Sequence, residues 1–241
     1  MTRLNGSPRI TLSSGRILKA MVWDLDGTLI DSFLMGLKNL EALMKTRGFS
    51  TTPEVTKRML EAWGKSGSEV ISEGYEIDLY LAGKISDEWD ALSDADPNKK
   101  FPLIRGALKM VKFCYESGIV NTLLTSRGQP HGNTILLQND LVKYFSFVLE
   151  CGNSIYKKPH PKVLDLTLSY LKRSRGIDPE ECLLVGDTLT DIRSAKNTGL
   201  GEAILVRTGP PQVLPEGFLS DKNILKSVAD LEVWFRQRTS K

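Results

Sequence analysis

The chain has 241 residues, 41% hydrophobic and 25% charged, which allows one large domain or a domain with a small insertion. A net charge of +3, from 32 basic and 29 acidic residues, is too balanced to imply nucleic acid, although the cationic tilt suits an anionic substrate. No apolar run approaches the roughly 18 residues needed to span a bilayer; the three scattered cysteines (Cys114, Cys151, Cys182) and two histidines speak against a disulfide framework or a zinc site.

The first twenty residues carry Arg3, Arg9, Arg16 and Lys19 and no acid, a composition faintly like an organelle transit peptide. The alternation of Ile10 and Leu12, with a turn at Ser14-Gly15, favours a small hairpin instead. A short apolar strand then ends at Trp23, and Asp24 and Asp26 follow before Gly27 and Thr28 turn the chain. Residues i and i+2 of a strand share a face, so both carboxylates point to one site. Two such acids are costly together unless a cation holds them or one takes a proton.

Apolar residues then recur at helix spacing from Phe33 to Met44, with Gly48 as the stop. Further helices are predicted over 53–63, 68–83 and 86–94, with Tyr75, Tyr80 and Trp89 in their core, and a polar linker over 94–100. From residue 102 the pattern alternates. Helices are expected over 102–117, 128–139, 161–173, 191–199 and 223–235, and strands over 120–125, 145–150, 181–185 and 203–206. Such alternation predicts a parallel sheet covered on both faces, with the site beyond the carboxyl ends of its strands.

Three further features fall at those ends. Thr125 and Ser126 follow one strand and offer a hydroxyl and backbone amides to a phosphoryl oxygen, although the pair equally suits an ordinary helix cap. Residues 157–162 read Lys-Lys-Pro-His-Pro-Lys. Alone this is a solvated basic loop, but flanking prolines can aim one lysine inward, and Lys158, next to Pro159, is preferred over Lys157. Gly186-Asp187 ends another strand, with Asp191 four residues on; oxygen ligands there suit magnesium, while a helix-capping role stays open for Asp191.

Taken in order, Asp24-Leu25-Asp26-Gly27-Thr28, Thr125, Lys158-Pro159, and Gly186-Asp187 with Asp191 resemble the four motifs of the haloacid dehalogenase-like superfamily. The resemblance spans residues 18 to 236. It implies an α/β fold: a Rossmann-like doubly wound parallel-sheet core (residues 1–32 and 102–241) with an inserted all-helical cap of the C1 type (33–101). It also implies roles. Asp24 would be the nucleophile, forming an aspartyl-phosphate, and Asp26 the acid and base, with a pKa raised by burial. Mg²⁺ would be bound by Asp24, the Asp26 carbonyl and Asp187. Asp191, with Gly186 beside the site, would support from behind or orient Lys158. Thr125, Ser126 and Lys158 would hold the phosphoryl group. Arg127 is a candidate substrate contact, as is Lys65 in the glycine-flanked cap loop Trp63-Gly64-Lys65-Ser66-Gly67.

The implied activity is hydrolysis of a small phosphorylated metabolite, most like the phosphoglycolate phosphatase group. Asp26 favours phosphate monoesters, because a leaving oxygen needs a proton. A phosphomutase of the β-phosphoglucomutase type shares the same core residues, and a non-catalytic binding protein can share the fold. No nucleic-acid or membrane partner is expected; a cytoplasmic monomer or homodimer is.

Overall fold

The computed structural model describes residues 9–94 and 100–240; the basic segment 1–8 and most of the expected polar linker, 95–99, lie outside the described residues. β1 (Arg9–Ile10) opens the predicted hairpin, with Thr11 bridged to Ile17, and it also pairs antiparallel with β8 (Thr239–Ser240).

Six parallel strands form the main sheet in the order β4-β3-β2-β5-β6-β7. They are β2 (Ala20–Trp23), β3 (Val120–Thr125), β4 (Phe145–Glu150), β5 (Cys182–Gly186), β6 (Glu202–Val206) and β7 (Ile224–Leu225). β2, β5 and β6 are buried along their whole length, as expected of parallel strands covered on both faces. Alternate residues enter different cores. Met21, Trp23 and Val185 pack with α5 (Ala107–Glu116) and α9 (Leu231–Arg238), whereas Val22 and Leu184 pack with α8 (Leu189–Asn197). The strand order reverses at β2, which lies between β3 and β5. That reversal opens the crevice in which doubly wound sheets place their ligands.

Between β2 and α5 come four helices: α1 (Phe33–Thr46), α2 (Pro53–Ala62), α3 (Gly67–Tyr75) and α4 (Leu79–Asp94). Leu40, Met44, Met59, Ile71 and Ile85 join in a hydrophobic cluster of their own. The start of α2 follows from sequence: Thr52 accepts from the Val55 amide, and Pro53 occupies a position where no helical N–H is needed. The chain enters and leaves these helices along paired backbone, with Asp31 N donating to Pro102 O (2.8 Å) and Ile104 N to Leu29 O (2.9 Å).

Several boundaries differ from expectation, some of them for a clear local reason. The break between α3 and α4 falls at 76–78 rather than 84–85. Glu76 takes the left-handed conformation (φ 55°) and Asp78 accepts from the Leu81 amide, while Gly83 stays inside the helix. The predicted helix at 102 starts only at Ala107, because Pro102 to Ile104 are committed to the crossover pairing. The helices α6 (His131–Gln138) and α7 (Asp165–Arg175) also begin a few residues late. The helix expected from Asn223 is interrupted, since Ile224–Leu225 add to β6 as an edge strand before α9 begins. Tyr75 belongs to the helical core as expected; Tyr80 does not, being 75% exposed, and Trp89 packs on that core while also facing the crevice.

Candidate active site

Asp24 leaves β2 with its amide still on the sheet ladder, donating to Val185 O (2.9 Å). Its Oδ1 accepts from Lys158 Nζ at 2.6 Å, and the same ammonium donates to Asp191 Oδ1 at 2.6 Å. Asp191 is in turn fixed by Thr188, whose hydroxyl and amide both donate to Oδ2 (2.6 and 3.1 Å). This is a capping box at the start of α8, so Asp191 caps a helix and orients Lys158 at once. Gly186 permits the arrangement, because a Cβ there would lie 2.3 Å from Asp191 Cβ.

Asp187 follows β5 into the same crevice. Oxygens of Asp24, Asp187 and Asp191 lie within 4.8 Å of one another, and all three residues are buried. Both Asp191 oxygens are taken, but Asp24 Oδ2 and Asp187 Oδ2 have no hydrogen-bond partner among the described residues. Two buried carboxylate oxygens without donors fit a hard divalent cation such as Mg²⁺. Glycine makes room beside them: a Cβ at Gly209 or Gly27 would sit 1.6 or 2.2 Å from Asp187 Oδ2.

The electrostatics follow from burial. Burial pushes the Asp24 carboxyl up to about 7 despite Lys158, and pushes Asp187 well above its ordinary value, with Asp24 and Asp191 adding to the shift. For Lys158 burial pulls downward, yet Asp191 and Asp24 outweigh it and the ammonium is held charged.

Asp26 behaves otherwise than expected. Burial does push its carboxyl upward, but Arg127 and then Ser32 more than offset this, and its pKa is lowered. Arg127 grips it bidentately, Nε to Oδ2 at 2.9 Å and Nη2 to Oδ1 at 2.7 Å, and Ser32 Oγ adds a donor to Oδ1 at 2.6 Å. The expectation of a raised pKa failed because it weighed the neighbouring carboxylate and not this guanidinium. Arg127 Nη1 also donates to Asp90 Oδ1 on α4 (3.1 Å), joining core to helical insert. Burial pushes Asp90 upward, partly offset by Arg127.

The crevice encloses ≈ 90 Å³ between the two parts of the molecule. Asp24, Asp26, Asp187, Lys158, Ser126 and Arg127 line it from the core, and Trp63, Gly64, Lys65, Trp89 and Asp90 from the helical side. Thr125 is fully buried behind this wall, its Oγ1 accepting from the Arg127 amide (3.2 Å), so Ser126 and Arg127 form the surface there. Lys65 lines the cavity but turns its ammonium onto Glu73 (2.7 and 2.8 Å).

The loop carrying Lys65 is fastened to the core. Ser126 Oγ donates to Gly64 O (3.0 Å), Gln212 Nε2 to Trp63 O (3.4 Å), and Lys157 Nζ to Ser66 Oγ (3.0 Å). The preference for Lys158 over Lys157 thus separates two structural jobs, one inside the site and one on the cap loop. Sequence reading missed Asp90, Ser32 and Gln212. Thr188 carried a usable signal, the Thr-x-x-Asp capping pattern; the others carried none.

Comparison with known proteins agrees with this architecture. Residues 21–204 match the family model for haloacid dehalogenase-like hydrolases. A phosphoglycolate phosphatase from Yersinia pseudotuberculosis is 25% identical over 76% of this chain and 79% of its own, and one from Vibrio vulnificus 27% identical over 76% and 81%. The crystal structure of a predicted phosphoglycolate phosphatase from Haemophilus somnus shares the fold, with a TM-score of 0.74 and 18% identity over 90% of this chain and 97% of its own. The chain belongs to the haloacid dehalogenase-like hydrolase family.

Proposed function

We propose that this chain is a Mg²⁺-dependent phosphatase that hydrolyses a small phosphate monoester through an aspartyl-phosphate on Asp24. One observation carries the reading. Asp24 is a buried carboxylate at the strand end, aligned by Lys158 at 2.6 Å, and its second oxygen has no donor among the described residues. A binding scaffold gains nothing from that costly arrangement. The relatives named phosphoglycolate phosphatases support hydrolysis over a phosphomutase.

An Asp24 oxygen attacks phosphorus, and the bond from phosphorus to the alcohol oxygen breaks. Asp26 takes a proton from solvent once the Arg127 pair that lowers its pKa has opened, gives it to the leaving oxygen, then takes a proton from water, whose oxygen attacks phosphorus and releases Asp24 and inorganic phosphate. Both Asp26 oxygens are engaged in the closed cavity, so this step requires the Arg127 pair to open. Lys158 offsets the charge on the phosphoryl oxygens, and Ser126, on the loop that Thr125 braces from behind, helps to hold them. Mg²⁺ would be held by Asp24, the Asp26 carbonyl and Asp187, and when bound it neutralises charge on carboxylates and phosphoryl oxygens alike. Residues 33–101 act as a cap that excludes bulk water.

The test is phosphate release from p-nitrophenyl phosphate and a panel of metabolite monoesters with Mg²⁺. Wild type should turn over at least one, and Asp24→Asn none while retaining its circular dichroism spectrum. Equal inertness of both proteins across the panel would sink the reading.

A further inference from the structure

We propose that Arg127 is the specificity-determining residue of this site, exchanging the Asp26 carboxylate for an anionic group on the alcohol side of the substrate. The inference deepens the phosphatase reading and rests on it.

Arg127 joins three separate segments. Its guanidinium meets Asp26 at 2.7 and 2.9 Å, Asp90 of the cap at 3.1 Å, and the face of Phe101, where the chain returns to the core, at 5.1 Å. The side chain is only 13% exposed, and it lines the cavity. Three cations line that cavity among the described residues. Lys158 is committed to Asp24 and Asp191, and Lys65 is turned onto Glu73. Arg127 instead spends a planar, bidentate fork on the one carboxylate that must turn to the leaving oxygen.

When Asp26 turns away, a buried guanidinium loses its bidentate carboxylate partner. Breaking a buried pair without replacing the partner is strongly unfavourable. An ester whose alcohol carries a carboxylate or similar anion supplies the replacement; a neutral alcohol does not. Asp90 keeps Arg127 tied to the cap during the exchange, so recognition and closure involve one side chain.

The experiment compares kcat/KM for 2-phosphoglycolate and 2-hydroxyethyl phosphate, which differ in a carboxylate against a hydroxymethyl group. Wild type should favour the anionic ester by about 100-fold or more, the scale of an uncompensated buried charge. In Arg127→Met that ratio should collapse to within about tenfold, and turnover of the neutral ester should rise because Asp26 loses its competitor. Arg127→Lys, a point charge without the fork, should fall between. A merely structural Arg127 predicts the reverse for the neutral ester. A wild-type ratio near one, or an equal loss for both esters in Arg127→Met, overturns the proposal even if the variant is poorly folded, since the wild-type ratio stands alone. Hydrolysis of p-nitrophenyl phosphate without that ratio leaves the phosphatase reading intact and removes this one; inertness toward every ester removes both.

Discussion

The cavity brings together two charged groups of different construction. Asp24, Lys158 and Asp187 come from core loops and Asp191 from the first turn of α8; all four are nearly solvent-free, and they gather three carboxylates with one ammonium, which is paired to two of them. Asp26, Arg127 and Asp90 straddle core and cap, with two carboxylates around one guanidinium and Asp26 about a quarter exposed. The first group carries excess negative charge with two oxygens unpaired; the second is paired throughout among the described residues. Burial therefore raises Asp24 and Asp187, whereas Arg127 lowers Asp26. One half leaves carboxylate oxygens without donors, and the other has its carboxylates matched by a guanidinium.

That contrast breaks most directly at Asp26. Asp26→Asn should slow turnover by roughly two to four orders of magnitude, the usual range for lost acid–base help, without changing the response to Mg²⁺. Near-normal rates would assign the proton to another group. Next in size is Lys158→Met. It leaves Asp24 and Asp191 facing each other with no cation, both almost fully buried, and should cost about 3–5 kcal/mol in urea unfolding with EDTA present. Unchanged stability would mean that the carboxylates are already neutralised by another route.

How much of this was legible in the sequence follows the same division. Asp24, Lys158, Asp187 and Asp191 each lie beyond a strand of a parallel sheet, and local order along the chain suffices to place them together. The Arg127 network was not legible. Its partners lie 37 and 101 residues away, and nothing in the surroundings of Asp90, on a cap helix, marks it as facing the site rather than solvent. The pKa of Asp26 was misjudged for that reason alone. Most element types were readable from periodicity, the edge strand at Ile224–Leu225 excepted, but their ends were set by particular contacts, such as the left-handed Glu76 and the crossover pairing at Pro102.

The raised carboxyls give a pH dependence of defined sign. Asp24, at about 7 in the folded protein, keeps its proton at pH values where the unfolded chain has lost it. Metal-free protein should therefore lose stability as pH rises from about 4 towards 7, by up to about 1.4 kcal/mol per pH unit for this group. Mg²⁺ competes with that proton, so its stabilisation should grow as pH rises from 6 to 8, and EDTA should remove both this gain and catalysis. Melting temperatures at pH 6 and 8, with Mg²⁺ and with EDTA, check the sign. A Mg²⁺ effect that shrinks with rising pH would remove Asp24 from the metal site.

The smallest expected effect lies where the two groups meet, at the fastening of the cap loop. Gln212 accepts from the Leu189 amide through Oε1 (2.7 Å) and donates to Trp63 O through Nε2 (3.4 Å), so one amide links the start of α8 to the cap. Gln212→Ala removes both bonds, and with water able to replace them at this half-exposed position the cost should be about 0.5–1.5 kcal/mol. The link to the cap forms in the closed state, so part of the loss should appear in closure. KM should rise a fewfold while the Mg²⁺ response of the melting temperature is retained. If Mg²⁺ binding weakens in step with KM, the cap fastening and the metal-binding group are one unit, and the division between the two halves of the cavity is wrong.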